Sequence, residues 1–414
     1  MANTTLTADI IAKEAVMILE NNCVMGNLVH RGYEEEFSNS VNGYKKGETV
    51  SIKKPTDFTV RDGAVAVVQD VTEGKTSITV DKQKGVDFKF SSLELTLDIG
   101  ELSERVIKPA MVQLANQIDR DVHLLYKQVW NWVGTPGQTV NSFADFAKGP
   151  ERLDMLGVPV DGRAAVLSPA DHWAMLGSQT ALYMQDVAKS AYRKGSLGMI
   201  GGVDTYMSQN VQTHTTGTRD DTTPLTRGTS NTTTYATVKD TNVITLSTDG
   251  WDASATILIG DVFTIADVYA VNPVTKATLP YLQQFTVVTA DVTANGTTSN
   301  ETTVIVSPAI ITSGAFQTVS AAPGNDKAIV NFGAASTGYP MNMVFHKNAF
   351  SLVMVPMEKP PGAVDVSRRS YKGYSVRVIP YYDGTNDVSN WRLDVLYGAK
   401  AIDPRLATRL SGTA

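Results

Sequence analysis

Between Ile107 and Trp132 the residues Ile107, Met111, Leu114, Ile118, Val122, Leu125, Val129 and Trp132 follow one another at steps of 4, 3, 4, 4, 3, 4 and 3. Such steps keep side chains on one side of an α-helix, so these residues form one apolar stripe, with Asp119, Arg120, Asp121 and Lys127 off it. Pro109 suits a first turn, and Gly134 with Pro136 suits an end. The spacing predicts a helix from Pro109 to Val133, roughly 25 residues at ~1.5 Å each, about 37 Å in all. The chain has 414 residues, enough for two or three domains, and a rod of that length would serve it as a spine.

Upstream, Ile10, Ile11, Ala15, Ile18 and Leu19 mark an amphipathic N-terminal helix with Thr7 or Asp9 as its cap. No neighbouring element in sequence covers its stripe, so that face needs a partner in its own fold or on another chain. From Tyr44 to Ile99 the period becomes two. Thr49–Lys54, Ser77–Asp81 and Asp87–Phe90 read as strands, separated by Gly47, Asp62-Gly63, Gly74 and Gly85. Many charges and few apolar residues leave this ribbon without a core, so it is expected as an extended hairpin arm.

Residues 140–212 read as mixed α/β. Ala164–Leu167 is a short buried strand, Ser168 starts a helix over Ala170–Leu176, and a strand runs from Val203 to Val211. Residues 213 to about 337 are rich in Thr, Asn and Gly and show no helical periodicity. Short strands are expected near Val243–Leu246, Thr256–Ile259, Val262–Ile265, Phe285–Val288, Val304–Val306 and Phe316–Val319. This describes an all-β barrel or sandwich, set into a mixed domain that resumes at Met343. Strands at Tyr374–Ile379 and Trp391–Tyr397 follow, and then a short basic tail from Pro404 to Leu410.

Chemistry is sparse. The five histidines, His30, His123, His172, His214 and His346, form no metal-binding spacing, and no nucleophile motif occurs. Cys23 is the single cysteine, which excludes an intrachain disulfide. Gly195, Gly198, Gly201 and Gly202 lack the Lys-Ser/Thr of a phosphate loop and read as a backbone turn. Glu34-Glu35-Glu36 and Arg219-Asp220-Asp221 read as solvated faces or interface pairs rather than metal carboxylates. With 36 basic and 42 acidic residues the net charge is −6, which argues against a dominant nucleic-acid-binding role. No run is long and apolar enough to span a membrane, and the first residues do not read as a signal peptide. No catalytic, cofactor or metal site is expected; a hydrolase with a dispersed carboxylate site is the enzymatic rival. Protruding arms without a catalytic cluster point to assembly.

Several strings, taken in order, carry a resemblance: Ile11–Asn22 leading to Tyr33–Phe37, Gly47–Pro55, Ala270–Lys276, Leu282–Phe285, Asp394–Gly398 and Pro404–Ala407. With this layout the chain resembles, over nearly its whole length, the major capsid (coat) proteins of tailed bacteriophages of the P22 type. The resemblance implies an α+β, Hong Kong-97-type capsid fold with an N-arm, an extended β-hairpin E-loop, a long spine helix and an inserted all-β barrel domain. It would divide the chain into an N-arm (1–43), the E-loop (44–99), the spine helix and first part of the peripheral domain (100–150), and the first part of the axial domain (151–212). The inserted barrel (213–340) and the second parts of the axial and peripheral domains (341–414) would complete it.

The resemblance further implies a shell of hexamers and pentamers around double-stranded DNA, built in the host cytoplasm and ending in the virion. Its partners would be a scaffolding protein, a portal protein at one vertex and, by non-specific contact, the packaged DNA; no membrane is involved. Asp9 and Glu14 are the candidates for scaffold contact, with helix capping the competing role for Asp9. Arg219, Asp220, Asp221 and Arg227 are candidates for charged contacts between capsomers, against the alternative of a solvated loop. The rival structural reading is a phage tail or fibre protein with a β-rich binding module.

Overall fold

The computed structural model describes residues 8–34, 37, 40–41, 44–45, 49–66, 68–91, 106–179, 197–219, 224–229, 231–295, 301–360, 362 and 366–413. The chain divides into two compact units, one from residues 1–51, 77–123 and 350–400, the other from 52–76, 124–349 and 401–414.

The first unit is built on a five-stranded sheet. Phe350–Met354, Val388–Ala401, Tyr374–Asp383 and Ser367–Tyr371 lie side by side in that order, and Lys82–Ser91 also pairs with Val388–Ala401. The last pairing is antiparallel, from Val388 opposite Ser91 to Tyr397 opposite Lys82. This corrects the expected arm: residues 82–91 belong to a sheet, and Phe88 and Phe90 alternate with Lys89 because one side of that sheet is covered. Residues 92–99 lie outside the described residues.

The N-terminal helix is Ala8–Asn22, and it packs on Ser367–Tyr371, Tyr374–Asp383 and the spine helix. Its buried residues are Ala8, Ile11, Ala12, Ala15, Val16 and Leu19. The small side chains of the three alanines allow close approach, and this turns the expected stripe so that Ile10 faces outward. The partner for the apolar face is therefore found within its own fold.

The spine helix is shorter than its stripe. It runs Lys108–His123, 16 residues, or about 24 Å at ~1.5 Å per residue. A 3-10 turn over Leu124–Gln128 follows, and then a strand, Trp132–Val133. The strand pairs in parallel with Arg409 and Leu410, and both main-chain groups of Trp132 bond the Gln284 side chain at 2.7 Å. Those bonds require extended backbone. Val129 and Trp132 are still buried, so the apolar spacing persists beyond the end of the helix.

The second unit contains a six-stranded mixed sheet in the order Trp132–Val133, Ala407–Leu410, Asn342–His346, Arg163–Leu167, Val203–Met207, Met199–Ile200. Three of its four inner strands, Ala407–Leu410, Asn342–His346 and Arg163–Leu167, are buried along their whole length. Of the supposed basic tail, Ala407–Leu410 is thus a core strand, and Pro404–Leu406 before it is a half-buried 3-10 turn. Ser168 caps the helix Pro169–Gln179 by accepting from the Asp171 amide at 3.2 Å. A helix not singled out in the sequence, Phe143–Met155, is capped in the same way by Ser142. Pro150 and Gly149 hide its signal; a side chain at Gly149 would meet Val344 at 2.9 Å. Gly201 and Gly202 have positive φ and turn Met199–Ile200 into Val203–Met207, so this part of the glycine cluster is a backbone turn; Gly195 lies outside the described residues.

Thr213–Thr215 pairs antiparallel with Gly338–Pro340, so the chain enters and leaves the Thr-rich region through neighbouring strands. Between them a six-stranded sheet runs Leu225–Thr226, Ile244–Asp249, Thr302–Ser307, Thr278–Val287, Val262–Val271, Ile329–Asn331. Ala253–Ile257 pairs separately with Val292–Asn295. Trp251, Phe263, Ile265, Phe285, Val287, Val304 and Val306 form its core. The expected strand at Phe316–Val319 is reduced to one bridge, Val319 to Ala270.

Candidate assembly surfaces

The arm leaves from a short ribbon, Thr49–Lys53 paired with Lys75–Thr79. Between them residues 54–74 form no strand among the described residues. From Thr59 to Gln69 the order is internal. Gln69 accepts from the Thr59 amide at 2.9 Å and donates to its carbonyl at 2.6 Å, and Arg61 donates to the carbonyls of Gly63 and Val65. The apolar side chains find no cover: Phe58, Val60, Val65, Val68 and Val71 are 55, 99, 80, 91 and 64% exposed. A soluble chain rarely leaves so many apolar groups together in water unless another surface takes them.

On the N-terminal helix Ile10 and Met17, seven residues apart and hence on one side, are each 45% exposed. Asp9 bonds the Arg369 guanidinium through both oxygens and accepts from Ser367 at 2.9 Å. The Arg369 hydrogen bond holds its carboxyl below the usual range. Glu20 bonds Lys372 at 2.9 Å further along the helix. Asp9 is thus an ion-pair partner within its own unit and does not cap the helix, while Glu14 is half-buried.

Two carboxylates that the periodicity placed off the spine's stripe are buried. Asp119 accepts from the main-chain amides of Val24 and Gly26 at 2.6 and 2.9 Å, tying the turn after the N-terminal helix to the spine. Asp121 accepts from Tyr397 at 2.7 Å and Gln117 at 3.0 Å. Burial pushes the Asp119 carboxyl up to about 6, against the pull of those amides. In the unfolded chain it ionises near ~4. Between about pH 4 and 6 the folded state therefore holds a proton that the unfolded state has lost, and this group's contribution to stability falls as pH rises across that window. Asp119→Asn is expected to remove that slope, whatever its constant offset. Thermal midpoints of both chains from pH 4 to 7 check it, and parallel curves would count against it. Cys23, close by, is buried, and burial pushes its thiol up, so it stays neutral.

Where the Thr-rich region joins the mixed sheet there is a buried polar chain. Tyr126 donates to His214 Nδ1 at 3.2 Å, and His214 Nε2 donates to Asp261 Oδ1 at 3.0 Å. Asp261 Oδ2 accepts from the amides of Leu258 and Gly217 at 2.9 and 3.2 Å and lies 3.8 Å from Arg219 Nε. Arg409, fully buried, donates to the Gly260 carbonyl at 2.7 Å and to Thr286 at 3.3 Å. Burial lowers the pKa of His214, leaving a neutral ring, and draws Arg409 down to about 10. Burial also disfavours the Asp261 anion, but the His214 hydrogen bond and the Arg219 charge outweigh it and hold this carboxyl below its ordinary value.

Arg219 therefore corrects the expectation of a surface contact. Its guanidinium is 2% exposed and donates to the Phe332 carbonyl at 2.9 Å, because Asp261 needs a buried counter-charge. Asp220 and Asp221 lie outside the described residues. Arg227 is half-buried beside the strand Leu225–Thr226, its amide donating to the Ser247 carbonyl at 2.9 Å. Of the polar residues described above, Asp119, Asp121, His214, Asp261 and Arg409 carried no sequence signal of burial. Among the described residues no group of three or more His, Cys, Asp or Glu could hold a metal ion, and no helix is long and apolar enough to cross a membrane.

A chain with an uncovered apolar arm, an N-terminal helix latched to an edge strand and buried charges used in packing has the build of a shell-forming coat protein. The chain belongs to the P22 coat protein family: the family model described as "P22 coat protein - gene protein 5" matches residues 1–412. It is 22% identical over 382 residues to the major capsid protein of Acyrthosiphon pisum secondary endosymbiont phage 1, covering 88% of this chain and 89% of that one. A solved structure from Mycobacterium phage Che8 is similar, with a TM-score of 0.50 at 14% identity, covering 94% of this chain and 90% of that one. The capsid of Ralstonia phage GP4 gives 0.43 at 8% identity, over 94% of this chain and 87% of that one. The fold is of the Hong Kong-97 capsid type, and the match along the whole chain to a coat protein family does not favour the tail or fibre alternative.

Proposed function

We propose that this major capsid protein assembles as hexamers and pentamers into the icosahedral shell around the double-stranded DNA of a tailed phage. The arm of residues 54–74, laid on an adjacent copy, supplies the main contact. The observation that carries this reading is the row of uncovered apolar side chains from Phe58 to Val71. Each buried valine or phenylalanine contributes roughly 1.5–3 kcal/mol, and a closed shell repeats the contact in every subunit. The chain works by packing and not by catalysis.

Residues 213–340 act as an inserted β-module, a reading supported by the adjacent strands through which the chain enters and leaves it. Assembly takes place in the host cytoplasm with a scaffolding protein, and a portal protein occupies one vertex. A scaffold reaching Asp9 and Glu14 competes with Arg369 for the first of them. Arg227, with Asp220 and Asp221, is the candidate for contacts between capsomers. Expression of the full chain with its scaffolding partner is expected to give closed shells in negative stain. Persistent monomers over a wide concentration range would overturn the reading.

A further inference from the structure

The root of the arm is held differently from its tip. Lys54 Nζ donates to the carbonyls of Lys239 and Asp240 at 3.3 and 3.1 Å. From the returning side the Lys75 amide donates to Asp240 Oδ1 at 2.8 Å. The Lys54 amide closes the root on the Gly74 carbonyl at 2.8 Å. Gly74 lies so near this platform that a Cβ would stand 2.4 Å from the Lys239 carbonyl. The platform is itself fixed: the Tyr235 ring stacks on Phe316 with centroids 3.4 Å apart and planes 3° from parallel. One step further out, Arg405, paired with Asp403 at 2.8 Å, stands 3.8 Å from Asp57. Beyond residue 57 the side-chain hydrogen bonds of Thr59, Arg61 and Gln69 run to the arm itself.

We propose that Lys54, Asp240 and Arg405 are positioning residues for assembly. Lys54 and Asp240 clamp both strands of the root to the Tyr235–Asp240 platform, and Arg405 holds Asp57 one step further out, so the apolar tip is already oriented in the free subunit when a neighbour arrives. The inference rests on the reading of the arm as the contact between subunits. An arm hinged freely at residues 54 and 75 surrenders its orientational freedom on docking, whereas a clamped arm has surrendered it on folding. Preorganisation of this kind raises affinity without adding a contact.

Anisotropy is read on the full-length chain with Val60→Cys, labelled with a maleimide dye, for which buried Cys23 does not compete; assembly thresholds are read on unlabelled chains that keep Val60. Lys54→Met with Asp240→Ala is the first unclamped variant, and Lys54→Met alone, which keeps the aliphatic stem, is the second. Unclamping is expected to lower the dye's anisotropy in the free subunit about twofold and to raise the subunit concentration needed for particles roughly tenfold, with the thermal midpoint unchanged. Equal anisotropy in clamped and unclamped chains overturns the clamp and leaves the docking of the arm standing. Lower anisotropy with an unchanged assembly threshold overturns the positioning role. Failure of the docking reading itself shows separately, in normal assembly of a chain stripped of the arm's apolar side chains.

Discussion

A chain with Phe58, Val60, Val65, Val68 and Val71 all replaced by serine is expected to fold as before and to build no particles. These side chains are exposed in the subunit, and exposed substitutions usually change stability by no more than about 0.5 kcal/mol each. The thermal midpoint of the free chain should therefore move by only a few degrees. In the proposed contact between copies the same five groups leave water, and each valine or phenylalanine replaced by serine forfeits roughly 1.5–3 kcal/mol if buried fully. Half of that sum, lost from every contact, weakens pairwise association by several powers of ten. Light scattering and negative stain read the assembly, and circular dichroism reads the fold. Particles at the unsubstituted chain's threshold concentration would remove the arm from the mechanism.

The second large effect is expected at Asp261. Asp261→Ala leaves His214 without its acceptor, the Leu258 and Gly217 amides unbonded, and Arg219 and Arg409 without a nearby negative charge. Removing one member of a buried charge network typically costs about 3–5 kcal/mol. In a unit of this size that lowers the melting temperature by roughly 10 °C. Asp261→Asn, which retains one acceptor, is expected to lose less. Urea unfolding followed by tryptophan fluorescence gives the difference directly; a loss under about 1 kcal/mol would mean that solvent reaches the site and the network is not buried in solution.

Much of the architecture was legible because burial leaves a period. The N-terminal helix, the spine from Lys108, the strand at Arg163–Leu167 and its capped helix, and most strands of the Thr-rich region announce themselves by spacing and turn residues. The misreadings share one cause. Residues 82–91 alternate equally well as an arm or as an edge of a sheet, and it is the pairing with Val388–Tyr397, some 300 residues away, that decides. The stripe from Leu125 to Trp132 fits a helix until Gln284 and Arg409 draw its backbone into a strand. Pro404–Leu410 looks basic and exposed until Trp132–Val133 and Asn342–His346 close over its last four residues, Ala407–Leu410.

The candidate surfaces divide along the same line. The arm was visible as alternating strands without a core, but its apolar residues from Phe58 to Val71 were not singled out, and it is the structure that shows them uncovered. The charged residues were not legible: Arg219 and Arg227 look alike in sequence, yet one answers Asp261 inside the fold and the other lies half-buried beside a strand. By itself the sequence determined the local conformations, the sites of the turns and the scarcity of reactive groups, since these follow from side-chain type and near-neighbour spacing. Tertiary structure alone decided which charges are buried, where the spine stops and how the arm is rooted. Those outcomes depend on groups brought together across the chain, and the free energy of a charge depends on what faces it, not on what adjoins it in sequence.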